Sequence, residues 1–196
     1  MLEEHQVTWV ILAGGQSSRM GGQDKGLLLY QGRPLIEHVL EALKPQASSI
    51  WICANRNQSA YRQYAPVIED LYPDYPGPLA GLHTALKHAE TEWIGILPCD
   101  GPLISSDLVQ RFCRAVTKDG KIYVAHDGEK RQPVYALAHR SVLSQLESFL
   151  EQGDRKVALF FDQVGAHLVD CHDIPSMFMN VNTPEQLLNL EKQQTQ

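Results

Sequence analysis

The chain has 196 residues, of which 43% are hydrophobic and 20% are charged, as expected for a globular protein with one sizeable core. It contains 17 lysines and arginines and 23 aspartates and glutamates, which give a net charge of −6. This negative charge and the lack of a basic stripe in the sequence argue against nucleic-acid binding. No apolar run approaches the length of a membrane span, which argues against an integral membrane protein.

The pattern of residue types predicts a single domain over residues 1–196, with frayed polar ends at 1–6 and 192–196. The four cysteines are scattered and form no Cys-x-x-Cys pair, which favours a reducing compartment. The first residues contain no apolar stretch typical of a signal peptide. We therefore expect a cytoplasmic protein with no membrane contact.

The densest chemistry follows the first predicted strand, the apolar run 7–12. Residues 13–25 contain four glycines, two serines and the cations Arg19 and Lys25. Backbone N–H groups can point into such a turn, and glycine lacks the Cβ that would keep an anion away. The spacing matches neither a Walker A loop nor a dinucleotide fingerprint. We predict a phosphate-binding loop in which Gly14 and Gly15 offer N–H groups.

Polar residues follow the next buried strands. These strands are predicted at residues 49–54, 67–70 and 93–98. Ligands of open parallel sheets bind at the carboxyl ends of the strands, where Asn55, Asp70 and Asp100 lie. Mg²⁺ is typically held by one or two carboxylates together with phosphate oxygens, so we favour a metal ligand over a turn residue for Asp100. For Asp70, a functional residue and a turn or cap residue remain equally open.

The rest of the pattern predicts the fold class. Helices are predicted at residues 34–43, 59–64, 79–89, 106–116, 141–152 and 157–164. Strands at 121–125 and 133–138 flank the turn signal Asp127-Gly128, so we expect an antiparallel pair. Strands alternate with helices as far as Asp100, which predicts a three-layer α/β/α architecture with a mostly parallel sheet and a late antiparallel insertion.

Two features outside the loop indicate a second ligand region. Gly81 lies in the first turn of a predicted helix and weakens it by about 1 kcal/mol relative to alanine. Either close approach of a ligand or backbone, or simple helix–sheet packing, explains such a glycine. Asn180 and Asn182 alternate along the chain and share one face, and two amides suit a polar heterocycle. Residues 170–173 are not predicted to bind metal, because neighbours on a strand point to opposite faces.

Several segments together resemble one family. Residues 12–25 read Leu-Ala-Gly-Gly-x-Ser-x-Arg-Met-Gly-x-x-Asp-Lys, which resembles the signature loop of Rossmann-like nucleotidyltransferases. Asp24-Lys25 replaces the Pro-Lys usual in sugar-phosphate members and is similar to the MobA-type molybdenum cofactor guanylyltransferases. Four further segments resemble the same family in the same order. They are Ile-Glu-Asp at 68–70, Pro-Gly-Pro-Leu-Ala-Gly at 76–81, Pro-Cys-Asp-Gly-Pro at 98–102 and Asn-Val-Asn-Thr-Pro-Glu at 180–185. The resemblance covers nearly the whole chain.

The resemblance implies transfer of GMP from GTP to molybdenum-molybdopterin, with release of diphosphate and Mg²⁺ bound at Asp100. It implies Arg19, Lys25 and Asp100 as catalytic residues. The implied GTP-binding residues are Leu12, Ala13, Gly14, Gly15, Lys25, Asp70 and Asp100. The implied pterin-binding residues are Gly77, Gly81, Asn180 and Asn182. It further implies a monomer with transient contacts to cofactor-insertion or molybdoenzyme chaperone proteins.

One departure from the family and two alternatives remain. Members often carry asparagine at the position of Cys53, so contact with the base from this strand is in doubt, and Asn55 on the same face is a substitute. A related cytidylyltransferase, or another enzyme that joins an NTP to a phosphate, is the first alternative. A non-catalytic nucleotide-binding regulator is the second, and the presence of Arg19, Lys25 and Asp100 disfavours it.

Overall fold

A central sheet organises the molecule in the computed structural model, which describes residues 2–15, 24–72, 77–181 and 186–187. In chain order the strands are β1 (Val7–Leu12), β2 (Leu29–Tyr30), β3 (Arg33–Pro34), β4 (Ser49–Cys53), β5 (Val67–Ile68), β6 (Trp93–Pro98), β7 (Ile122–His126), β8 (Arg131–His139) and β9 (His167–Asp170). Among the described residues, seven of these form one sheet in the order β5-β4-β1-β6-β8-β7-β9, and β2 and β3 form a separate antiparallel hairpin.

Helices cover both faces of this sheet. They are α1 (Leu35–Leu43), α2 (Gln58–Tyr61), α3 (Pro78–His88), α4 (Leu108–Ala115), α5 (Leu143–Glu151) and α6 (Val157–Val164). Short 3-10 turns occur at Glu4–Gln6, Lys25–Leu27, Arg140–Val142 and Pro175–Phe178. The first of these lies within the stretch predicted to fray. In the described parts of the chain, no helix has the length and apolarity needed to span a bilayer.

Alternation along β1 creates two hydrophobic cores. Trp9 packs in the core that includes α1 and α4, whereas the next residue, Val10, packs in the core that includes α3, α5 and α6. Successive strand residues point to opposite faces, so one strand that is buried from Val7 to Ile11 supports both layers. The predicted three-layer α/β/α architecture is therefore confirmed.

The order of the strands places a crevice at the carboxyl end of β1. From β1 the chain moves outward to β4 and β5, and it then returns to add β6 on the other side of β1. All four of these strands are parallel. Ligands of open α/β sheets bind outside the carboxyl ends at such a reversal of direction. This topology brings the segments after β1 and β6 together.

The late antiparallel insertion is confirmed at β8, which pairs antiparallel with both β6 and β7. The pairing of β7 with β8 shifts between Val124, opposite Ala136, and Ala125, opposite Gln132. Residues 133–135 are therefore unmatched and form a β-bulge. Bulges redirect side chains near functional sites, and this one occurs at the carboxyl edge of the sheet.

Two element ends differ from the sequence-based predictions. β5 ends at Ile68 rather than at Asp70, because Asp70 leaves the sheet and its carboxylate turns towards β4. α4 begins at Leu108 rather than at residue 106, and Asp107 before it makes no capping hydrogen bond, since its carboxylate accepts from Ser105 and from Arg111 instead. In both places a side-chain partner elsewhere outweighs the local preference.

Candidate functional site

A cavity of about 480 Å³ opens at the carboxyl edge of the sheet, beside the ends of β1 and β6. All the site residues that the family resemblance implies, and that the structure describes, line it. On the predicted nucleotide side these are Leu12, Ala13, Gly14, Gly15, Lys25, Asp70 and Asp100, and on the predicted pterin side they are Gly77, Gly81 and Asn180. Two predicted residues, Arg19 and Asn182, lie outside the described residues.

An ion pair joins the glycine loop to the end of β6. Lys25, in the 3-10 turn that ends the loop, donates from Nζ to Oδ2 of Asp100 at 3.0 Å. The Asp100 side chain is 10% exposed and that of Lys25 is 24% exposed. Both charges are thus largely shielded from bulk solvent, and low exposure strengthens their attraction. The pair places a cation and an anion in one cavity.

Backbone hydrogen bonds fix this pair within the sheet edge. Cys99 donates its N–H to the carbonyl of Leu12 at 3.2 Å, which ties the end of β6 to the end of β1. The N–H of Val181 donates to the carbonyl of Asp100 at 2.8 Å. The segment that carries Asn180 is therefore anchored directly on Asp100.

The chemistry of Asp100 fits a hard divalent cation. Mg²⁺ binds oxygen ligands and commonly keeps one or two carboxylates, with water and substrate phosphates completing its shell. The described residues contain no group of three or more His, Cys, Asp or Glu that could hold a metal together. A cation at Asp100 would therefore depend on phosphate oxygens from a bound nucleotide, as is usual for nucleotide-processing sites.

Asp70 is held in the cavity wall by two side chains from the end of β4. The Cys53 thiol donates to Oδ1 at 3.0 Å, and Asn55 Nδ2 donates to Oδ2 at 2.8 Å. Burial, followed by the charge of Asp70, raises the pKa of the Cys53 thiol far above its ordinary value, so the thiol stays protonated and donates. Cys53 and Asn55 both act on Asp70, and this fixes the plane of its carboxylate.

Close packing explains two of the predicted glycines. A Cβ on Gly14 would lie 3.1 Å from Asn55 Nδ2 and 3.3 Å from Asp70 Oδ2. A Cβ on Gly81 would lie 2.6 Å from Leu12 Cδ2, so helix–sheet packing accounts for this glycine although it also lines the cavity. Both glycines let the wall of the cavity close around Leu12 and Asp70.

The far end of the cavity is formed by the start of α3 and by Asn180. Gly77 precedes α3 with a φ of 96°, a backbone conformation that glycine adopts without strain. The Oδ1 atom of Asn180 is buried and has no hydrogen-bond partner among the residues that the structure describes. A buried acceptor without a partner costs about 1–3 kcal/mol, which a ligand donor would offset. Asn180 therefore points to polar ligand contacts at this end.

Sequence reasoning missed several cavity residues, among them Asp24, Cys99 and Val134. Asp24 directly precedes Lys25 in the loop motif, and this position could have indicated that Asp24 belongs to the site. Val134 belongs to the bulge in β8, and nothing local in the sequence marks it. Burial raises the pKa of the Cys99 thiol well above its ordinary value, so Cys99 lines the cavity as an apolar, protonated group.

A family model described as the MobA-like NTP transferase domain matches residues 9–167, which span β1 to the first residue of β9. The chain belongs to the MobA-like NTP transferase family. Membership in this nucleotidyltransferase family implies the use of a divalent metal in general, in agreement with the chemistry of Asp100.

Individual MobA-like relatives extend this match over nearly the whole chain. A molybdenum cofactor guanylyltransferase of Vibrio cholerae serotype O1 is 56% identical over 186 residues, which are 95% of this chain and 92% of the relative. One of Photobacterium profundum is 54% identical over 187 residues, covering 95% of this chain and 96% of the relative.

Solved structures place the MobA-like fold in a wider group. Molybdopterin-guanine dinucleotide biosynthesis protein A from Archaeoglobus fulgidus has a TM-score of 0.80 at 23% identity, covering 96% of this chain and 98% of that one. A 4-diphosphocytidyl-2C-methyl-D-erythritol synthase from Anaerococcus prevotii has a TM-score of 0.77 at 11% identity, with 98% and 97% covered. Both comparisons show a shared fold only, and the fold by itself does not select the base.

Proposed function

We propose that the protein transfers GMP from GTP to molybdenum-molybdopterin, forming the molybdopterin guanine dinucleotide cofactor and diphosphate. One observation carries the proposal: a single cavity joins Gly14, the Lys25–Asp100 pair and Asn180. The cavity therefore has an anion-binding half and a polar half within reach of each other. Close relatives named guanylyltransferases support the choice of substrates.

In this proposal the glycine loop binds the phosphates of GTP. Gly14 and Gly15 offer backbone N–H groups, and Lys25 and Arg19 neutralise charge on the α-phosphate and the departing diphosphate. A tetra-anionic nucleotide repels a phosphate nucleophile, so charge stabilisation is the main catalytic requirement. Lys25 already lies at the carboxyl edge of the sheet, where its ammonium is fixed by Asp100.

The nucleoside is proposed to bind between β1 and Asp70. Leu12 and Ala13 present their backbone to guanine, and Asp70 lines the nucleoside side of the cavity. Guanine offers an N1–H and an N2 amine, which a carbonyl or carboxylate accepts. Cys53 and Asn55 hold the Asp70 carboxylate in place from the other side.

Asp100 is proposed to hold Mg²⁺ together with phosphate oxygens of GTP. The bound ion would supply electrophilic stabilisation of the phosphates. The side chain of Lys25 contacts the same carboxylate, and it is thereby placed where the nucleotide phosphates and the metal meet. The residues themselves thus arrange positive charge around the reacting phosphate.

The acceptor requires no strong general base, since a terminal phosphate is already anionic at neutral pH. The residues described around the cavity include no histidine, and Cys53 and Cys99 remain protonated because burial raises the pKa of each thiol. Gly77, Gly81, Asn180 and Asn182 are proposed to face the pterin half. Positioning of the two substrates then carries the reaction.

A cytidylyltransferase is the alternative that the shared fold leaves open. Cytosine lacks the adjacent N1–H and N2 donors of guanine, so an acceptor such as Asp70 would discriminate against it. A non-catalytic regulator would have no use for the Lys25–Asp100 pair, which is intact here. We accordingly favour the guanylyltransferase.

The test is release of diphosphate from ATP, CTP, GTP and UTP in the presence of Mg²⁺ and molybdenum-loaded molybdopterin. The proposal predicts turnover with GTP and a rate with CTP lower by at least about 100-fold. Equal turnover with CTP would contradict the assignment of guanine. Omission of molybdopterin is the control, since diphosphate release without an acceptor reports hydrolysis.

We further propose that the enzyme acts as a cytoplasmic monomer that passes its product to cofactor-insertion or molybdoenzyme chaperone proteins. Four free cysteines without a disulfide support a reducing compartment.

A further inference from the structure

The turn after β4 contacts three separate parts of the nucleotide half of the cavity. Its three successive residues, Asn55, Arg56 and Asn57, each use the side chain for a different partner. We refer to these residues together with Tyr61 as the β4 clamp. The roles proposed above account for the contact of Asn55 with Asp70 but leave Arg56, Asn57 and Tyr61 unexplained.

Asn55 makes a two-way contact with Asp70. Its Nδ2 donates to Asp70 Oδ2 at 2.8 Å, and its Oδ1 accepts from the Asp70 backbone N–H at 2.9 Å. The two bonds fix both the carboxylate and the backbone of Asp70. A residue two positions beyond the end of β5 is thereby held against the cavity.

Arg56 reaches the beginning of the glycine loop. Its Nη2 donates to the carbonyl oxygen of Gly15 at 3.0 Å. Because a peptide unit is planar, holding the carbonyl fixes the orientation of the whole unit. A charged donor makes a stronger hydrogen bond than a neutral one. The bond from Arg56 therefore holds the start of the glycine loop in a defined orientation.

Asn57 and Tyr61 together hold Asp24, at the other end of the loop. Asn57 Nδ2 donates to Asp24 Oδ2 at 3.1 Å, and the Tyr61 hydroxyl donates to Asp24 Oδ1. Tyr61 is fully buried. Burial raises the pKa of Tyr61 above its ordinary value, as do nearby Cys99 and the bond to Asp24, so the hydroxyl keeps the proton that it donates.

The backbone of Asn57 is specialised for this contact. Its φ is 49° and its ψ is 29°, a left-handed conformation in which asparagine is better tolerated than most residues. Gly26 also fits closely, since a Cβ there would lie 2.5 Å from the Tyr61 hydroxyl oxygen. The contact with Asp24 thus depends on two backbone positions besides the side chains.

Asp24 transmits this restraint to Lys25. The carbonyl of Asp24 accepts from the N–H of Leu27 at 3.1 Å and so starts the 3-10 turn that carries Lys25. With its carboxylate held by two donors, Asp24 fixes where that turn begins. A lysine side chain loses considerable conformational entropy when it is ordered. Because the beginning of the 3-10 turn is already fixed, less entropy is lost when Lys25 is ordered by a bound nucleotide.

We propose that the β4 clamp positions the nucleotide site by fixing Asp70, the Gly15 carbonyl and, through Asp24, the ammonium of Lys25. The inference rests on the proposed function for the identity of the nucleotide. The four residues of the β4 clamp are positioning residues, and they act through Lys25 and Asp70 rather than on the reacting phosphates.

Two variants remove the contacts with Asp24 while preserving the surrounding shape. Tyr61→Phe deletes only the hydroxyl, and Asn57→Gly removes the amide from a position whose left-handed backbone glycine accepts. Tyr123→Phe is the control for a buried tyrosine. Tyr123 lies on β7, away from the β4 clamp, and its hydroxyl accepts a hydrogen bond from the Thr117 N–H at 2.8 Å. Gln31→Gly is the control for the backbone, because Gln31 has the same φ of 49°.

The first measurement is amide hydrogen exchange without nucleotide at Leu27 and Leu28, whose N–H groups bond to the carbonyls of Asp24 and Lys25. Exchange should be about tenfold faster in Tyr61→Phe and Asn57→Gly, and unchanged in the two controls. Unchanged exchange in both clamp variants would overturn the proposal. This measurement holds whatever nucleotide the protein uses.

The second measurement is turnover with GTP in wild-type and Lys25→Ala backgrounds. If Tyr61 acts through Lys25, Tyr61→Phe lowers turnover by about tenfold in the first background and has little effect in the second. Equal losses in both backgrounds would overturn positioning through Lys25. Absence of GTP turnover in the wild type would instead contradict the proposed function, and the exchange rates would still decide whether the clamp exists.

Discussion

Lys25 and Asp100 depend on each other, because each is the charged partner that the other meets at 3.0 Å in a largely shielded position. Removal of either one takes away a charged group that the other contacts in this shielded position, and it also removes one element of the proposed catalytic charge array. The same geometry therefore links stability with activity at this position, and a test has to measure both.

Asp100→Asn keeps the shape of the side chain and removes its charge, and Lys25→Ala removes the ammonium. Each variant should lower kcat for GMP transfer by about 100-fold or more while the protein still unfolds in a cooperative thermal transition. Asp162→Asn is the control, since its 2.6 Å pair with Arg131 is largely exposed and far less dependent on burial. Normal turnover in either site variant would contradict the assigned role of that residue.

At the scale of elements, β1 and β6 pack closely where an aromatic side chain lies over a glycine. Trp9 on β1 pairs with Gly95 on β6, and a Cβ on Gly95 would overlap the indole ring. Trp9 is fully buried and is backed by Phe112 of α4, with ring centroids 5.6 Å apart. The ring therefore has no room to move away from an added methyl group.

Gly95→Ala should destabilise the protein by about 1–3 kcal/mol, the usual cost of overpacking a core. Chemical denaturation followed by tryptophan fluorescence measures this difference. Gly15→Ala is the matched control for stability, since a Cβ there would meet none of the described residues within 4 Å. A Gly95→Ala variant as stable as Gly15→Ala would show that the strands separate more easily than the packing indicates.

A second link between elements is Arg111 on α4. Its guanidinium donates to both carboxylate oxygens of Asp173, at 2.7 and 2.6 Å, and to Asp107 at 2.8 Å. Arg111 holds the pKa of Asp173 below its ordinary value of 3.8, and Ser105 and Arg111 do the same for Asp107. A lowered carboxyl pKa gives stability that is present above the ordinary value and is lost as the pH falls through the lowered one.

Arg111→Gln should consequently be less stable than the wild type near neutral pH, and the difference should narrow below about pH 4. Thermal melting of both proteins between about pH 7 and pH 3 measures this trend. Arg114→Gln, an exposed position on the same helix, is the control and should differ little from the wild type at any pH. A difference that grows on acidification would contradict the pairing.

Over the whole molecule, the strongest local patterns predicted the elements best. β1 and β6 are apolar runs bounded by glycine, proline or polar residues, and both occur at the predicted residues. The expectation that ligands bind at the carboxyl ends of parallel strands agrees with the cavity, which Gly14 and Asp100 both line. Asp70 lines it too, although the pattern alone left its role open between a functional and a turn residue.

What the sequence did not predict depends on contacts distant in the chain. Tyr61 lies 37 positions from Asp24, so the loop motif showed the carboxylate but not its partner. Val134 enters the cavity through a bulge, which is defined only by how β7 and β8 pair. Local propensity contains neither kind of information, because both arise when separate elements pack.

The four cysteines give a test of the packing of the whole chain. All four are buried and free, and burial raises the pKa of Cys113 and of Cys171 to about 11. The thiolate is the reactive form, so the native protein at about pH 8 should react slowly with a disulfide reagent. All four thiols should react rapidly with the same reagent when the protein is unfolded in guanidinium. Rapid reaction of a thiol in the native state would contradict the buried positions described here.

The central claim is that one cavity brings a GTP α-phosphate to a molybdopterin acceptor. The most direct measurement uses GTP carrying a radioactive label in its α-phosphate, molybdenum-loaded molybdopterin and Mg²⁺, with the labelled products separated by chromatography. We expect the label to move into a molybdopterin guanine dinucleotide with the wild type, and Lys25→Ala and Asp100→Asn to transfer at least about 100-fold less. Label that stays in GTP or GMP with the wild type, while the acceptor is unchanged, would contradict the account.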